Sequence, residues 1–245
     1  MKIYLENLIH IVFPPRCPFC DKVLFSSVLV PQDLACSSCR SKLEFIQEPV
    51  CKKCGKPLTD QRQEYCYDCK RHHCHFQQGK ALWVYQGEVK HSIYRFKYQG
   101  RQEYARYYGR ELAQKYGDWI RRHSIDALVP IPLSRKRYRQ RGFNQAKLIA
   151  DEVSRQTKVP VYGNLLLRVH DTRAQKELND QERKNNLKKA FKTRANKVQL
   201  DHILLIDDIY TTGSTMNEAA GELKQSGASE VYCLSLSIGR GYQEG

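Results

Sequence analysis

The chain has 245 residues, 41% of them hydrophobic, which allows an ordinary domain with a real core plus a smaller unit and excludes a disordered chain. Its net charge of +15, from 41 basic and 26 acidic residues, points to an anionic partner such as nucleic acid, a phosphorylated metabolite or a membrane surface. Residues 1–78 hold 11 basic and 8 acidic side chains and the remainder 30 and 18, so the anion-facing surface is expected in the C-terminal part.

The first segment, MKIYLENLIHIVFPP, includes Glu6 and His10, a short apolar stretch and no small-residue cleavage site, which argues against an export signal. No run approaches the roughly 18–20 apolar residues of a membrane span. The cytoplasm is therefore the expected compartment, where paired cysteines hold metal rather than each other. Leu5, Leu8, Ile9 and Val12 recur at helical spacing and predict a short amphipathic helix packed on the body, with a membrane-surface helix as the alternative.

Eight of the ten cysteines fall in four Cys-x-x-Cys pairs: Cys17/Cys20, Cys36/Cys39, Cys51/Cys54 and Cys66/Cys69. Each pair clamps one side of a tetrahedral ion, and two pairs complete the closed four-sulfur geometry of structural zinc. Two Zn²⁺ ions are expected, most simply on consecutive pairs, with interleaved pairing as the alternative. Gly55, next to the third pair, suits a knuckle turn that needs positive φ. So few apolar residues separate the pairs that metal must supply part of the folding energy. Residues 1–78 are thus expected to form a double zinc ribbon with the N-terminal helix. Thiol–disulfide exchange needs one pair on a thioredoxin-like unit, not four in loops. A zinc module that reads nucleic acid is the alternative to a structural scaffold, although +3 on residues 1–78 is a weak electrostatic footprint for it. His72, His73, Cys74 and His75 read as a polar linker, and Cys233 as a small core residue.

Residues 79–245 change pattern. ALWVYQG is a strand with a turn, and residues 90–123 are mostly helical with a break near Gly100. DALVPIP is an apolar strand closed to further pairing by Pro130 and Pro132. Residues 142–157 form an amphipathic helix with Ala146, Ile149, Ala150 and Val153 on one face. A strand at 165–169 precedes a very polar stretch to about 197. Then come a buried strand, DHILLIDDIY, a helix ending near Gly227, and a last strand, EVYCLSLSI. Strands alternating with helices predict an α/β domain with a parallel sheet, whose ligands bind beyond the carboxyl ends of the strands.

The run Leu204-Leu205-Ile206-Asp207-Asp208-Ile209-Tyr210-Thr211-Thr212-Gly213-Ser214-Thr215 carries the most chemistry. A buried strand delivers two carboxylates, and a small-residue loop then opens into a helix. Loop N–H groups, four hydroxyls and the positive helix end suit a phosphate, and Gly213 permits close backbone approach. Ribose hydroxyls would satisfy the acids, and a bridging Mg²⁺ would relieve the remaining charge conflict. The run resembles the signature of type I phosphoribosyltransferases, which binds 5-phosphoribosyl 1-pyrophosphate (PRPP). The resemblance implies that Asp207 and Asp208 hold the ribose and act in catalysis, and that Tyr210, Thr211, Thr212, Gly213, Ser214 and Thr215 hold the 5′-phosphate. It also implies a pyrophosphate loop at Leu133, Ser134, Arg135, Lys136 and Arg137, whose cations would stabilise the departing group. The polar stretch from Asp171 to Lys197 sits where such enzymes carry a mobile loop, with Arg173, Gln175 and Lys176 as its ligand-facing members.

The whole chain resembles the ComF (ComFC) family of competence proteins. The likeness runs from the four cysteine pairs through FKYQGR at 96–101 and PIPLSRKRYRQRGFNQA at 130–146 to LLIDDIYTTGST at 204–215. It implies a type I phosphoribosyltransferase-like domain behind a zinc ribbon, a role in DNA uptake and natural transformation, and a partner ATPase of the ComFA type. Nothing in the residues names an acceptor for a phosphoribosyl group. Single-stranded DNA is the alternative ligand, with Tyr94, Tyr98, Tyr104, Tyr107 and Tyr108 among the basic residues as candidate stacking platforms.

Overall fold

The computed structural model describes residues 14–24, 34–169, 190–194 and 199–240. The expected N-terminal helix lies outside these residues, as do Arg173, Gln175 and Lys176. Four parallel strands form the main sheet: β1 (Gly79–Val84), β2 (Ala127–Pro130), β5 (His202–Tyr210) and β6 (Glu230–Ile238), in the order β1-β6-β5-β2. The short strands β3 (Leu166–Arg168) and β4 (Phe191–Thr193) pair antiparallel in a sheet of their own. β4 lies inside what the sequence presents as one polar stretch. Ala190 and Phe191 are buried there, and that apolar pair gives the otherwise hydrophilic run a strand.

Two helices, α1 (Ser37–Arg40) and α2 (Tyr67–Arg71), belong to the cysteine-rich region. The others are α3 (Gly87–Tyr98), α4 (Tyr104–Arg122), α5 (Arg135–Arg141), α6 (Gln145–Thr157) and α7 (Ser214–Gln225). The break expected near Gly100 separates α3 from α4. The mainly apolar runs of β5 and β6, buried along most of their length, reflect burial on both faces, as parallel strands require. Leu204 and Ile206 point into one core with Phe96, Tyr108, Ile120, Ile149 and Val153. Ile203 and Leu205 point into the other with Met216, Leu223 and Phe191. Tyr104, Tyr107 and Tyr108 are buried in the first core, so three of the five candidate stacking tyrosines serve packing instead.

The cysteines form two clusters, Cys17/Cys20/Cys36/Cys39 and Cys51/Cys54/Cys66/Cys69, with sulfurs within 4.8 Å of one another in each. Pairing is therefore consecutive. Four sulfurs at this separation, with no carboxylate or open position, fit a closed structural zinc ion. The two knuckles repeat one turn. Asp21 N donates to Cys17 O and Gly55 N to Cys51 O, both at 2.9 Å, with positive φ at Asp21 (59°) and Gly55 (77°). A Cβ on Gly55 would stand 2.7 Å from the Gly79 carbonyl, so that knuckle also needs glycine for space.

Neither cluster has a separate core. Cys17 and Phe19 share the first core with Trp83 and Tyr107, whose rings meet Phe19 edge-on at 5.8 and 5.5 Å. Cys51, Cys54 and Phe76 share the second core with β5 and α7. Metal and α/β core are thus one cooperative structure. Cys54→Ser is expected to reduce bound zinc from two ions to one per chain by elemental analysis, and to lower the single thermal unfolding transition of the whole chain. A separate ribbon transition, with the main one unmoved, would contradict this coupling.

Candidate functional site at the carboxyl end of β5

β2 pairs with β5 only as far as Pro130 opposite Ile206, whereas β6 follows β5 to Tyr210 opposite Ile238. Beyond Ile206 one side of β5 is open, and Asp207 and Asp208 begin there. The pleat sends neighbouring side chains to opposite faces of the sheet. Asp208 lies on the α3 side, where Lys97 Nζ sits 2.9 Å from Oδ1; the two side chains are 14% and 9% exposed. Asp207 accepts a hydrogen bond from the Asp208 backbone N–H at 2.8 Å. Burial, and then the Asp208 charge, push the Asp207 carboxyl up to about 7 against the pull of Lys97 and Arg168.

The loop after β5 is set by Gly213, which has φ 82° and caps α7. A Cβ there would fall 2.0 Å from the Tyr210 hydroxyl. Tyr210 itself is buried, with its ring 6.3 Å edge-on from Phe76, so it supports the loop from below. Thr211 and Thr212 are exposed, and Ser214 and Thr215 half-buried. Thr212 Oγ1 and Ser214 Oγ lie 2.8 Å apart. Thr211–Thr215 thus offer hydroxyls and backbone donors at the start of a 12-residue helix, an arrangement that suits a phosphate.

The basic segment after β2 differs from expectation. Leu133 is half-buried, and Ser134, buried, accepts a hydrogen bond from Arg137 N at 3.3 Å. From there the expected loop is the helix α5. Serine at the N-cap, good helix formers within and Gly142 in the left-handed region at the C-cap explain the change. Arg135, Lys136 and Arg137 are all exposed on it. At its far end Arg141 donates to the Tyr98 hydroxyl at 3.0 Å, with its guanidinium 4.9 Å from the ring.

Three features were not legible in the sequence. Lys97 sits in the FKYQGR segment and shows its importance only by reaching Asp208. The expected linker His72–His75 instead docks on α7: Asn217 accepts from His75 N at 2.6 Å and donates to His73 O at 3.0 Å. Between that linker, α7 and β4 lies a cleft of about 460 Å³ that reaches Thr212–Ser214. Glu218 lines it. Burial pushes the Glu218 carboxyl up to about 7, with Arg168 pulling the other way.

Residues 8–70 match the family model of the double zinc ribbon domain. Competence protein F of Haemophilus influenzae is 31% identical over 227 residues, 91% of this chain and 96% of its own. Competence protein ComFC of Bacillus subtilis is 31% identical over 235 residues, 90% of this chain and 93% of its own. The DNA utilization protein YhgH of Escherichia coli is 31% identical over 208 residues, 83% of this chain and 90% of its own. A purine phosphoribosyltransferase from Pyrococcus horikoshii Ot3 aligns with 57% of this chain and 91% of its own at 10% identity and a TM-score of 0.33. Likeness to the two competence proteins runs nearly end to end, through ribbons and sheet alike, and the chain belongs to the ComF family of competence proteins.

Proposed function

We propose that this protein binds PRPP at the carboxyl end of β5 and acts in DNA uptake, a reading supported by its likeness to proteins named for competence and DNA utilization. The observation behind the binding reading is the juxtaposition of Asp207 and Asp208, at the open end of β5, with the glycine-capped loop Thr211–Thr215. The loop would hold the 5′-phosphate and the two carboxylates the ribose hydroxyls. Among the described residues only the cysteine clusters bring three or more metal ligands together, and Asp208 already faces Lys97. That donor set fits a Mg²⁺ that arrives on the pyrophosphate of PRPP, with Asp207 and Asp208 nearby, rather than one held by protein alone. Such an ion would neutralise pyrophosphate charge.

Phosphoribosyl transfer is the chemistry such a site supports. The C1–O bond to pyrophosphate breaks, pyrophosphate leaves with the electron pair, and an acceptor bonds to C1. Arg135, Lys136 and Arg137 would steady the departing anion. A ComFA-type ATPase is the proposed partner, with the ribbons as its dock.

A second reading, single-stranded DNA binding, is favoured by one surface. Tyr94, Tyr98 and Tyr138 are 55%, 47% and 53% exposed. The first two rings lie 5.1 Å apart, and Tyr98 contacts the last arginine of α5. Bases stack on such rings while cations track the backbone.

Calorimetric titration with PRPP should give Mg²⁺-dependent binding that Asp207→Asn/Asp208→Asn loses; no binding by folded wild type would refute the reading. The Asp207 carboxyl is raised from its ordinary value near 4 to about 7 in the fold, so its burial costs stability increasingly as pH rises through that window. Asp207→Asn should therefore stabilise the chain by roughly 1–3 kcal/mol above pH 7 and by little at pH 4, by chemical denaturation. Gly213→Ala meets both the left-handed penalty of about 1–2 kcal/mol and the Tyr210 hydroxyl, and should abolish PRPP binding while zinc content stays unchanged. Affinity for an oligothymidylate should fall steeply with salt and weaken about tenfold in Tyr94→Ala/Tyr138→Ala; a salt-independent or unchanged affinity would exclude the DNA surface.

A further inference from the structure

The segment from Phe96 to Arg101 turns its side chains to different parts of the molecule. Phe96 is fully buried in the first core. Tyr98 meets Arg141 at the end of the basic helix. Arg101 donates to Asp21 Oδ2 at 2.7 Å, and Tyr104 donates to Asp21 Oδ1 at 2.5 Å. One turn back, Arg95 donates to the carbonyls of Pro18 and Phe19, and Ser92 donates to Pro18 O at 2.6 Å. Both ends of this turn are thus held on the first zinc knuckle. Lys97, between them, faces the other way, into the open end of β5, where its ammonium pairs with Asp208.

We propose that Lys97 is a PRPP-binding residue: its ammonium, paired with Asp208 in the free protein, takes the 1-pyrophosphate when Asp208 accepts a ribose hydroxyl. The inference rests on the PRPP site proposed above. A lysine ammonium carries three N–H donors, so the contact with Asp208 leaves two for an anion. Two carboxylates beside a bound polyphosphate would repel it, and a cation placed between them removes part of that conflict. Arg135, Lys136 and Arg137 are exposed to water, where a single cation does little; Lys97 is 14% exposed, and its electrostatic effect is correspondingly stronger. Its helix is braced against the ribbon, so the ammonium is positioned before the ligand arrives, and its flexible stem allows the short shift from carboxylate to phosphate.

The test compares wild type, Lys97→Gln and Lys97→Arg by calorimetry in Mg²⁺, with PRPP, ribose 5-phosphate and inorganic pyrophosphate as separate probes. Lys97→Gln keeps a donor for Asp208 and removes the charge, and thermal unfolding checks that it folds. Loss of a charge-assisted hydrogen bond should weaken PRPP and pyrophosphate about tenfold or more and ribose 5-phosphate less than about threefold, with Lys97→Arg recovering most of the loss. Equal weakening of PRPP and ribose 5-phosphate, with pyrophosphate unchanged, would show that Lys97 only holds Asp208 in place and would overturn the proposal. So would a Lys97→Gln protein that binds PRPP like wild type. A wild type that binds no PRPP fails the site reading itself, a result distinct from an unaffected variant.

Discussion

Two carboxylates at the end of a buried strand, next to a loop built for an anion, set the terms for the rest of this molecule. Burial and the mutual repulsion of the acids raise Asp207 to about 7. Removing one partner of a buried ion pair such as Lys97–Asp208 costs about 3–5 kcal/mol, because a charge is left uncompensated. Replacing both members of the pair by well-packed apolar residues would instead be neutral or stabilising. Local electrostatic cost at a topological opening, where β2 stops and β5 continues, is a mark of a site kept for binding rather than for stability.

The supply of that compensating cation links the ribbon to the sheet. The two zinc knuckles share one hydrogen-bonded turn, yet they differ at the residue with positive φ. In the second it is Gly55, pressed against Gly79. In the first it is Asp21, which tolerates the left-handed region less easily but brings a carboxylate to Arg101 and Tyr104. The first ribbon therefore fixes the α3–α4 junction from which Lys97 and Tyr98 reach out. The second ribbon approaches from the opposite face, through Phe76 under Tyr210 and through Asn217 gripping the His73–His75 backbone. Both modules brace the same loop and acid pair, each from one side of the sheet.

The positive charge divides between two environments. Lys97, Arg95 and Arg101 are wholly or partly covered, and each has a defined acidic or carbonyl partner. Arg135, Lys136, Arg137 and Arg139 of α5 stand in water near exposed tyrosines. In the function proposed above, the first set would serve a small phosphorylated ligand and the second an extended anion. The Arg141–Tyr98 contact joins the two surfaces through one helix.

Much of this was legible in the sequence because it depends on local spacing. Four Cys-x-x-Cys pairs gave two four-sulfur sites, whose consecutive pairing the fold then decided, apolar runs gave the buried parallel strands, and the acid pair followed by Thr-Thr-Gly-Ser-Thr gave the strand–loop–helix. Propensity and patterning act over a few residues, and these elements need no more. Other outcomes required distant parts of the chain to meet. Tyr107 and Tyr98 look alike in a basic segment, yet one is buried beside Trp83 and the other is exposed beside Arg141. The expected pyrophosphate loop is mostly helix because a serine caps its start and a left-handed glycine its end. The sequence by itself determined the four cysteine pairs, the layer of parallel strands, and the acid pair and hydroxyl-bearing loop at the end of β5. Only the tertiary structure decided that Lys97 would answer Asp208, 111 positions later in the chain, because an ion pair depends on where two helices and a strand pack and leaves no periodic trace in the residues that form it.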